Sequence, residues 1–471
     1  MTVAALEERV VHEARPLPEA GGAPRLFVPF FWLLATVPST SLGWILAAAA
    51  AVVPVAAPRI LPLLLLTSYF FYSTMAISAT VLYALRAYWI LMFLAWLLLL
   101  RRTNVARNVW IWIAAVATLL AWGTLVATIR LGQIAEANRL PAVEASVAFL
   151  WVLSLVVGWA WLRPSRGRLN GGDATVIAAA WVVAIGYGIL QAVLGINEST
   201  VPPDIWPLLE GVGQYEDLGR HPFTFLTPNG MAAVSIFPVV LLFGFGRRSV
   251  VGTTVTILLA LLIGVLTLTR SYLLILGLLL LLLRPLQRTS IAIWLSTVGA
   301  LALGAVVALR AIDPKLLSLS LRLEGDVSSE RADIWAYTIS HLDASGWLLG
   351  MGFGSGVWER FFAPMTLYKD LQSPHSVVLE VTGQFGIVGL VVYLALGVTV
   401  LRAYAANRSN PVVSAVALAT MLVMARELLA ASYVFSPSIL GAYFWTLFGM
   451  VLAQLPARRI SESPVALSRV T

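Results

Sequence analysis

The chain alternates long apolar runs with short polar breaks. The runs fall near 27–56, 60–100, 108–129, 143–162, 174–195, 229–246, 250–268, 271–283, 290–309, 376–401, 412–431 and 435–455. A membrane-crossing helix needs about 20 mostly apolar residues. The pattern therefore predicts an all-α polytopic membrane protein. Run 60–100 has room for two helices, and run 27–56 reads as one helix or as a hairpin centred on Pro38. The expected number of transmembrane helices is about 12 to 14. Residues 1–25 and 457–471 read as polar tails, and 26–309 and 375–456 as two parts of a membrane domain. Between those parts, 310–374 is a long polar external loop with short helices. Within it, Ser328 to Trp335 reads as a helix start with acidic residues in the first turn. The glycine-rich stretch Gly350 to Gly356 breaks that pattern.

Composition agrees. Hydrophobic residues make up 59% of the chain and charged residues only 11%, where soluble domains carry roughly 25% charged residues. Tryptophan and tyrosine are plentiful, as interfacial belts require. There are no cysteines, which excludes disulfides, thiolate nucleophiles and cysteine metal sites. His12 and His341 have no ligand-like neighbours, so no metal site and no cofactor are expected. The net charge of +8 reads as a topology signal and not as a nucleic-acid footprint.

Arginine placement sets that topology. Arg101, Arg102 and Arg107 share one break, and Arg163, Arg166 and Arg168 another. Arg247 and Arg248, Arg284 and Arg288, Arg402 and Arg408, and Arg458 and Arg459 each follow one hairpin later. All then lie on one side, the cytoplasmic one by the positive-inside rule, together with both termini. Segments 130–142, 196–228, 269–271, 310–374 and 432–434 become external and hold most of the acidic residues.

Several external residues have the chemistry of a site. His375 follows the long loop and opens an apolar run. With Ser373 as N-cap and Pro374 at N1, it is expected in the first turn of a helix, whose dipole favours the neutral imidazole. Such a ring at a membrane surface can take a proton from a hydroxyl; the plainer reading is a polar residue marking a helix start. Arg270 lies in a tight turn between two short apolar halves, so it sits at or within the external interface, where arginines face a cavity or a partner or snorkel to headgroups. Arg220, just before the run at 229, and Arg331 in the long loop lie on the same side. Three guanidinium forks suit a diphosphate, although external arginines commonly are solvated or pair with acids. Arg426 and Glu427 are adjacent within the outer half of a late run and read as a structural ion pair or as part of a cavity. Glu380 lies about 140° round the helix from His375, a poor angle for orienting that ring.

The order of these motifs resembles the bacterial O-antigen ligase and polymerase family over roughly residues 215–400. Arg220 to Asn229 is similar to its R-x-x-G-x-F-x-x-P-N stretch, without the glycine. Thr269-Arg270-Ser271 is similar to its helix-turn arginine. Arg331 to Trp335 followed by Gly350 to Gly354 resembles its R-x-x-x-W … G-x-G loop. His375 to Leu379 followed by the stretch Gly383 to Gly389 resembles its H-N-x-x-L … G-x-x-G signature, with Ser376 in place of the usual asparagine. The resemblance implies a metal-independent integral glycosyltransferase of the bacterial inner membrane. Its donor would be an undecaprenyl-diphosphate-linked glycan and its acceptor a glycan or lipid hydroxyl. His375 would be the general base, and Arg220 and Arg270 would bind the diphosphate. A polysaccharide transporter or flippase is the competing expectation, although transporters more often show repeated halves and midplane charges.

Overall fold

A computed structural model of the chain describes residues 22–56, 60–71, 74–100, 105–131, 141–162, 171–194, 228–245, 250–267, 272, 275–277, 279, 331–365, 373–407, 410–428 and 434–455. Among these residues the regular structure is entirely helical. Among the described residues five helices are long and apolar enough to cross a membrane: Ala79–Leu99, Arg107–Arg130, Pro141–Leu162, Gly172–Leu190 and Val377–Ala406. Shorter apolar helices lie beside them. The expected span at 290–309, the C-terminal tail, most of the N-terminal tail and most of run 271–283 lie outside the described residues; residues 22–25, expected in that tail, begin a helix.

Run 27–56 folds as two helices, α1 (Gly22–Ala35) and α2 (Thr40–Ala56). They part around Pro38, where Ser39 Oγ accepts the Leu42 N–H at the start of α2. Run 60–100 also divides. A short helix α3 (Leu61–Ser68) stops inside the apolar run, and α4 (Ala79–Ala95) follows and continues as a π-turn over Trp96–Leu100. A helix ending in an apolar setting leaves carbonyls without partners. Arg86, fully buried on α4, supplies them. Its Nε donates to Ser68 Oγ at 3.2 Å, and its Nη2 donates to the Ser68 carbonyl at 2.8 Å and to the Phe71 carbonyl. Sequence reading did not single out Arg86, although a lone arginine in a long apolar run is the signal that flags such sites.

Helix α5 (Arg107–Leu131) is followed by α6 (Pro141–Val152) and α7 (Ser154–Leu162), then by α8 (Gly171–Leu194), α9 (Pro228–Phe245) and α10 (Val250–Thr267). The C-terminal part has three short helices, α11 (Arg331–His341), α12 (Ala344–Leu349) and α13 (Ser355–Phe362). The long α14 (Val377–Ala406), α15 (Pro411–Glu427) and α16 (Ile439–Leu452) follow.

Among the described residues the most extensive helix–helix contact joins α7 and α16. A Cβ on Gly158 would stand 2.0 Å from the Thr446 carbonyl oxygen, and one on Gly449 would stand 2.0 Å from that of Leu155. Lipid gives helices little hydrophobic reason to associate, so close backbone approach at small residues provides the packing. Ser154 Oγ adds a hydrogen bond to the Ala442 carbonyl at 2.9 Å.

Polar contacts mark the two ends of the bundle. At one end, Asn108 donates to the Leu452 carbonyl, Gln454 to that of Leu162, and Asn407 to that of Gln454. At the other, Arg130 Nη2 donates to Ser345 Oγ, and Glu144 accepts from Ser355. The end of α5 and the start of α6 thus lie at the same end of the bundle as the segment carrying α12 and α13.

Candidate active site

His375 lies at the start of α14, but not inside the helix. The helix begins at Val377 with Ser376 as its N-cap residue, which corrects the expectation that Ser373 caps it and that His375 sits in its first turn. The reason is local. His375 has φ +54°, the left-handed region, and among the described residues it alone does so without being glycine. That conformation is uncommon for residues with a Cβ, and histidine is among the more tolerant. Backbone outliers of this kind persist where surrounding contacts over-determine them, and those contacts are present. Ser373 Oγ accepts the His375 N–H at 3.1 Å and donates to Glu380 Oε2 at 2.7 Å. The Glu380 N–H donates to the Ser376 carbonyl at 2.8 Å. Glu380 therefore closes a ring around the His375 backbone through Ser373. Its angle round the helix mattered less than expected, because it acts on the peptide and not on the imidazole.

Helix α11 supplies the other wall. Arg331 and Trp335 are four residues apart and so share a face. Trp335 Nε1 donates to the Pro374 carbonyl at 2.9 Å. The Arg331 guanidinium is close enough to act on the His375 ring. Burial first, and the Arg331 charge second, push the imidazole down to about 4. Both effects disfavour a second positive charge. The neutral ring expected from the helix dipole is thus present for a different reason.

The glycine-rich stretch docks on a break in α14. Gly386 has φ +70° and ψ −162°, which splits the helix after Phe385. The carbonyls of Gly383 and Gln384 accept the N–H groups of Met351 at 2.6 Å and Gly352 at 3.3 Å, and that of Gly123 on α5 accepts the Phe353 N–H at 2.8 Å. Gly350, Gly352 and Gly354 all have positive φ. A Cβ on Gly352 would lie 2.4 Å from the Ala127 backbone, and one on Gly383 would lie 2.4 Å from the Trp358 ring. These glycines let the stretch pass between α5 and α14.

Glu144 is a residue that sequence reading missed. It is buried near the start of α6 and caps α13: Oε2 accepts the Ser355 N–H at 2.9 Å and Oε1 accepts the Ser355 hydroxyl at 2.6 Å. Gly354, the N-cap residue of α13, offers no side chain for that role. An acid three positions after Pro141, entering an apolar run, was the available signal.

The structure therefore brings together His375, Arg331 and Glu380, with Ser373 and Trp335. Arg220 and Arg270 lie outside the described residues. Arg426 and Glu427 are both buried in the last turn of α15. There Tyr393 of α14 donates its hydroxyl to the Met424 carbonyl at 3.1 Å. Among the described residues no cluster of three or more histidines and acids has a metal-binding arrangement.

Residues 255–394 match a family model described as O-antigen ligase. The matched stretch contains Arg270, Arg331, the glycine-rich segment, His375 and Glu380, whereas Arg220, Arg426 and Glu427 lie outside it. No curated protein matches the chain. With the long apolar helices, the match supports an integral membrane protein of the O-antigen ligase type, a glycan transferase acting on a lipid-linked donor and an acceptor in the membrane.

Proposed function

We propose, from the O-antigen ligase match over residues 255–394, that the protein transfers or polymerises a glycan from undecaprenyl diphosphate onto an acceptor hydroxyl at the outer face of the bacterial inner membrane. The observation that carries this reading is the left-handed His375, held by Ser373, Glu380 and Trp335 with a neutral ring beside the Arg331 guanidinium. His375 Nε2 or Nδ1 takes the proton of the acceptor hydroxyl as its oxygen attacks the anomeric carbon. The bond from that carbon to the diphosphate oxygen breaks, and the diphosphate leaves with the electron pair. Arg331, Arg270 and Arg220 receive the developing charge, for which guanidinium forks are suited. Arg426 and Glu427, buried in the last turn of α15, would act as supporting residues. No metal or cofactor is needed for these steps. Both termini are placed on the cytoplasmic side by the arginine pattern.

The arginine roles are tested by donor binding. Arg270→Lys and Arg220→Lys keep the charge but lose the fork, so weaker binding of the lipid-linked donor by roughly tenfold or more is expected. Donor affinity equal to wild type in the lysine and alanine variants of both residues would remove the diphosphate assignment.

The Arg331 charge also makes a pH prediction. Protonated imidazole cannot accept a proton, so activity is lost as pH falls through the His375 pKa. In kcat/KM, which reports the free enzyme, the acid limb should fall at about 4. A bound diphosphate offsets the Arg331 charge, so the limb in kcat should lie higher. Arg331→Ala should raise the kcat/KM limb towards the ordinary histidine range, without reaching it because burial remains. A limb unmoved by Arg331→Ala would show that the Arg331 charge does not act on the group that titrates.

A further inference from the structure

The segment between α11 and α14 reads in sequence as a polar external loop, yet its middle part runs alongside the membrane helices. Two contacts with α5 give its direction. Arg130, in the last turn of α5, donates to Ser345 at the start of α12 at 2.6 Å, with Asp343 4.0 Å away. Trp122 donates its Nε1 to the carbonyl of Leu349 at the end of α12 at 3.0 Å. At 1.5 Å rise per residue, Trp122 and Arg130 are about 12 Å apart along the helix. Helix α12 therefore descends beside α5. The chain turns at Gly350, follows the carbonyls of Gly383, Gln384 and Gly123, and returns to Glu144 in the first turn of α6 through Ser355. Its start and its finish are at the same end of the bundle.

The side chains sort accordingly. Gly346 is buried, and Trp347 packs against the apolar cluster that includes Leu342, Met351 and Trp358. Leu348 and Leu349 point outward, 60% and 44% exposed. They continue the exposed apolar flanks of two candidate spans: Leu125 and Ile129 on α5, and Ile387, Val388 and Val391 on α14. Non-helical backbone at membrane depth is tolerated only where protein satisfies its polar groups, and the hydrogen bonds of Met351, Gly352 and Phe353 do so.

We propose that residues 343–355 form a re-entrant segment seated in the leaflet nearest His375, with Leu348 and Leu349 against lipid acyl chains. The occupant is lipid because the flanks that these leucines extend are the sides of membrane-crossing helices. The polar rim of Arg130, Asp343 and Ser345 marks headgroup level, and Gly350 marks the deepest point. This inference stands apart from the glycan-transfer reading, since it concerns only where the segment lies.

The cysteine-free chain allows a direct test. Leu348→Cys in the full-length protein is spin-labelled in liposomes of phosphatidylethanolamine and phosphatidylglycerol, and collision with oxygen is compared with collision with a water-soluble nickel chelate. Val391→Cys on α14 serves as the lipid reference and Ala336→Cys on α11 as the water reference, both positions being exposed. High oxygen and low nickel access at position 348, as at 391, is the expected result. Nickel access like that at 336 would place the helix in water. Low access to both would mean that protein, from this or a second copy, covers the face. Either of these results overturns the proposal.

Discussion

Replacing His375 with alanine is expected to cut glycan transfer about 10²–10⁴-fold, the usual contribution of a positioned general base. Protein level and donor binding should remain. The loop that carries His375 is held through its backbone: Ser373 Oγ accepts its N–H, and Trp335 donates to the Pro374 carbonyl. None of these bonds uses the imidazole, so the alanine variant keeps the fold of 373–376. His375→Asn is a stricter comparison, because asparagine tolerates the left-handed conformation at φ +54° but cannot act as a base. If the ring serves only as a marker of the helix start, the asparagine variant should transfer almost normally. The measurement is transfer from a purified lipid-linked donor to its acceptor in liposomes, with metal chelated. Transfer within a few-fold of wild type in both variants would sink the base assignment while leaving the family match untouched.

Much of the fold was legible because membrane helices have a strong linear signal. The runs at 108–129, 174–195, 229–246 and 250–268 correspond to α5, α8, α9 and α10 within a few residues. The Pro38 break and the division of 60–100 were both visible as alternatives. What the sequence hid was three-dimensional partnership. Arg86 lies on α4 but serves the end of α3, and Glu144 lies on α6 but caps α13. Neither partner is adjacent in sequence, so neither role can be read from spacing. The start of α14 was misplaced for a related reason. Ser373 and Pro374 satisfy the local rules for a helix start, yet Trp335 and Glu380 hold that stretch in another conformation. The polar loop also concealed its apolar core. Its polar residues dominate the average, while Met351, Phe353, Val357, Trp358 and the glycines carry the packing. In the site itself, histidine, arginine and glutamate were all flagged from sequence. Their mode of cooperation, through Ser373 and the peptide backbone, needed coordinates.

Gly386→Ala is expected to be among the most damaging single-methyl changes available in the C-terminal half. Gly386 has φ +70° and ψ −162°, a combination that essentially only glycine adopts. A Cβ there would stand 2.1 Å from the Leu348 carbonyl oxygen, an atom of backbone that cannot swing aside. The strained backbone and the forced displacement together should cost about 2–5 kcal/mol. Two responses are open to the chain. If α14 straightens, the Gly383 and Gln384 carbonyls return to the helix and release Met351 and Gly352. If α12 moves away, the Trp122 bond to Leu349 is lost. In either case the glycine-rich segment leaves α14 about two turns from the start of that helix. Transfer should fall at least tenfold, and the melting temperature in detergent should drop. Gly397→Ala on the same helix is the control. A Cβ there would meet only the Met424 methyl at 3.7 Å, ordinary van der Waals contact, so its melting temperature and transfer should stay close to wild type. Equal behaviour of the two variants would mean that the break at Gly386 does not hold the glycine-rich segment, and that the segment reaches its place beside α14 by other contacts.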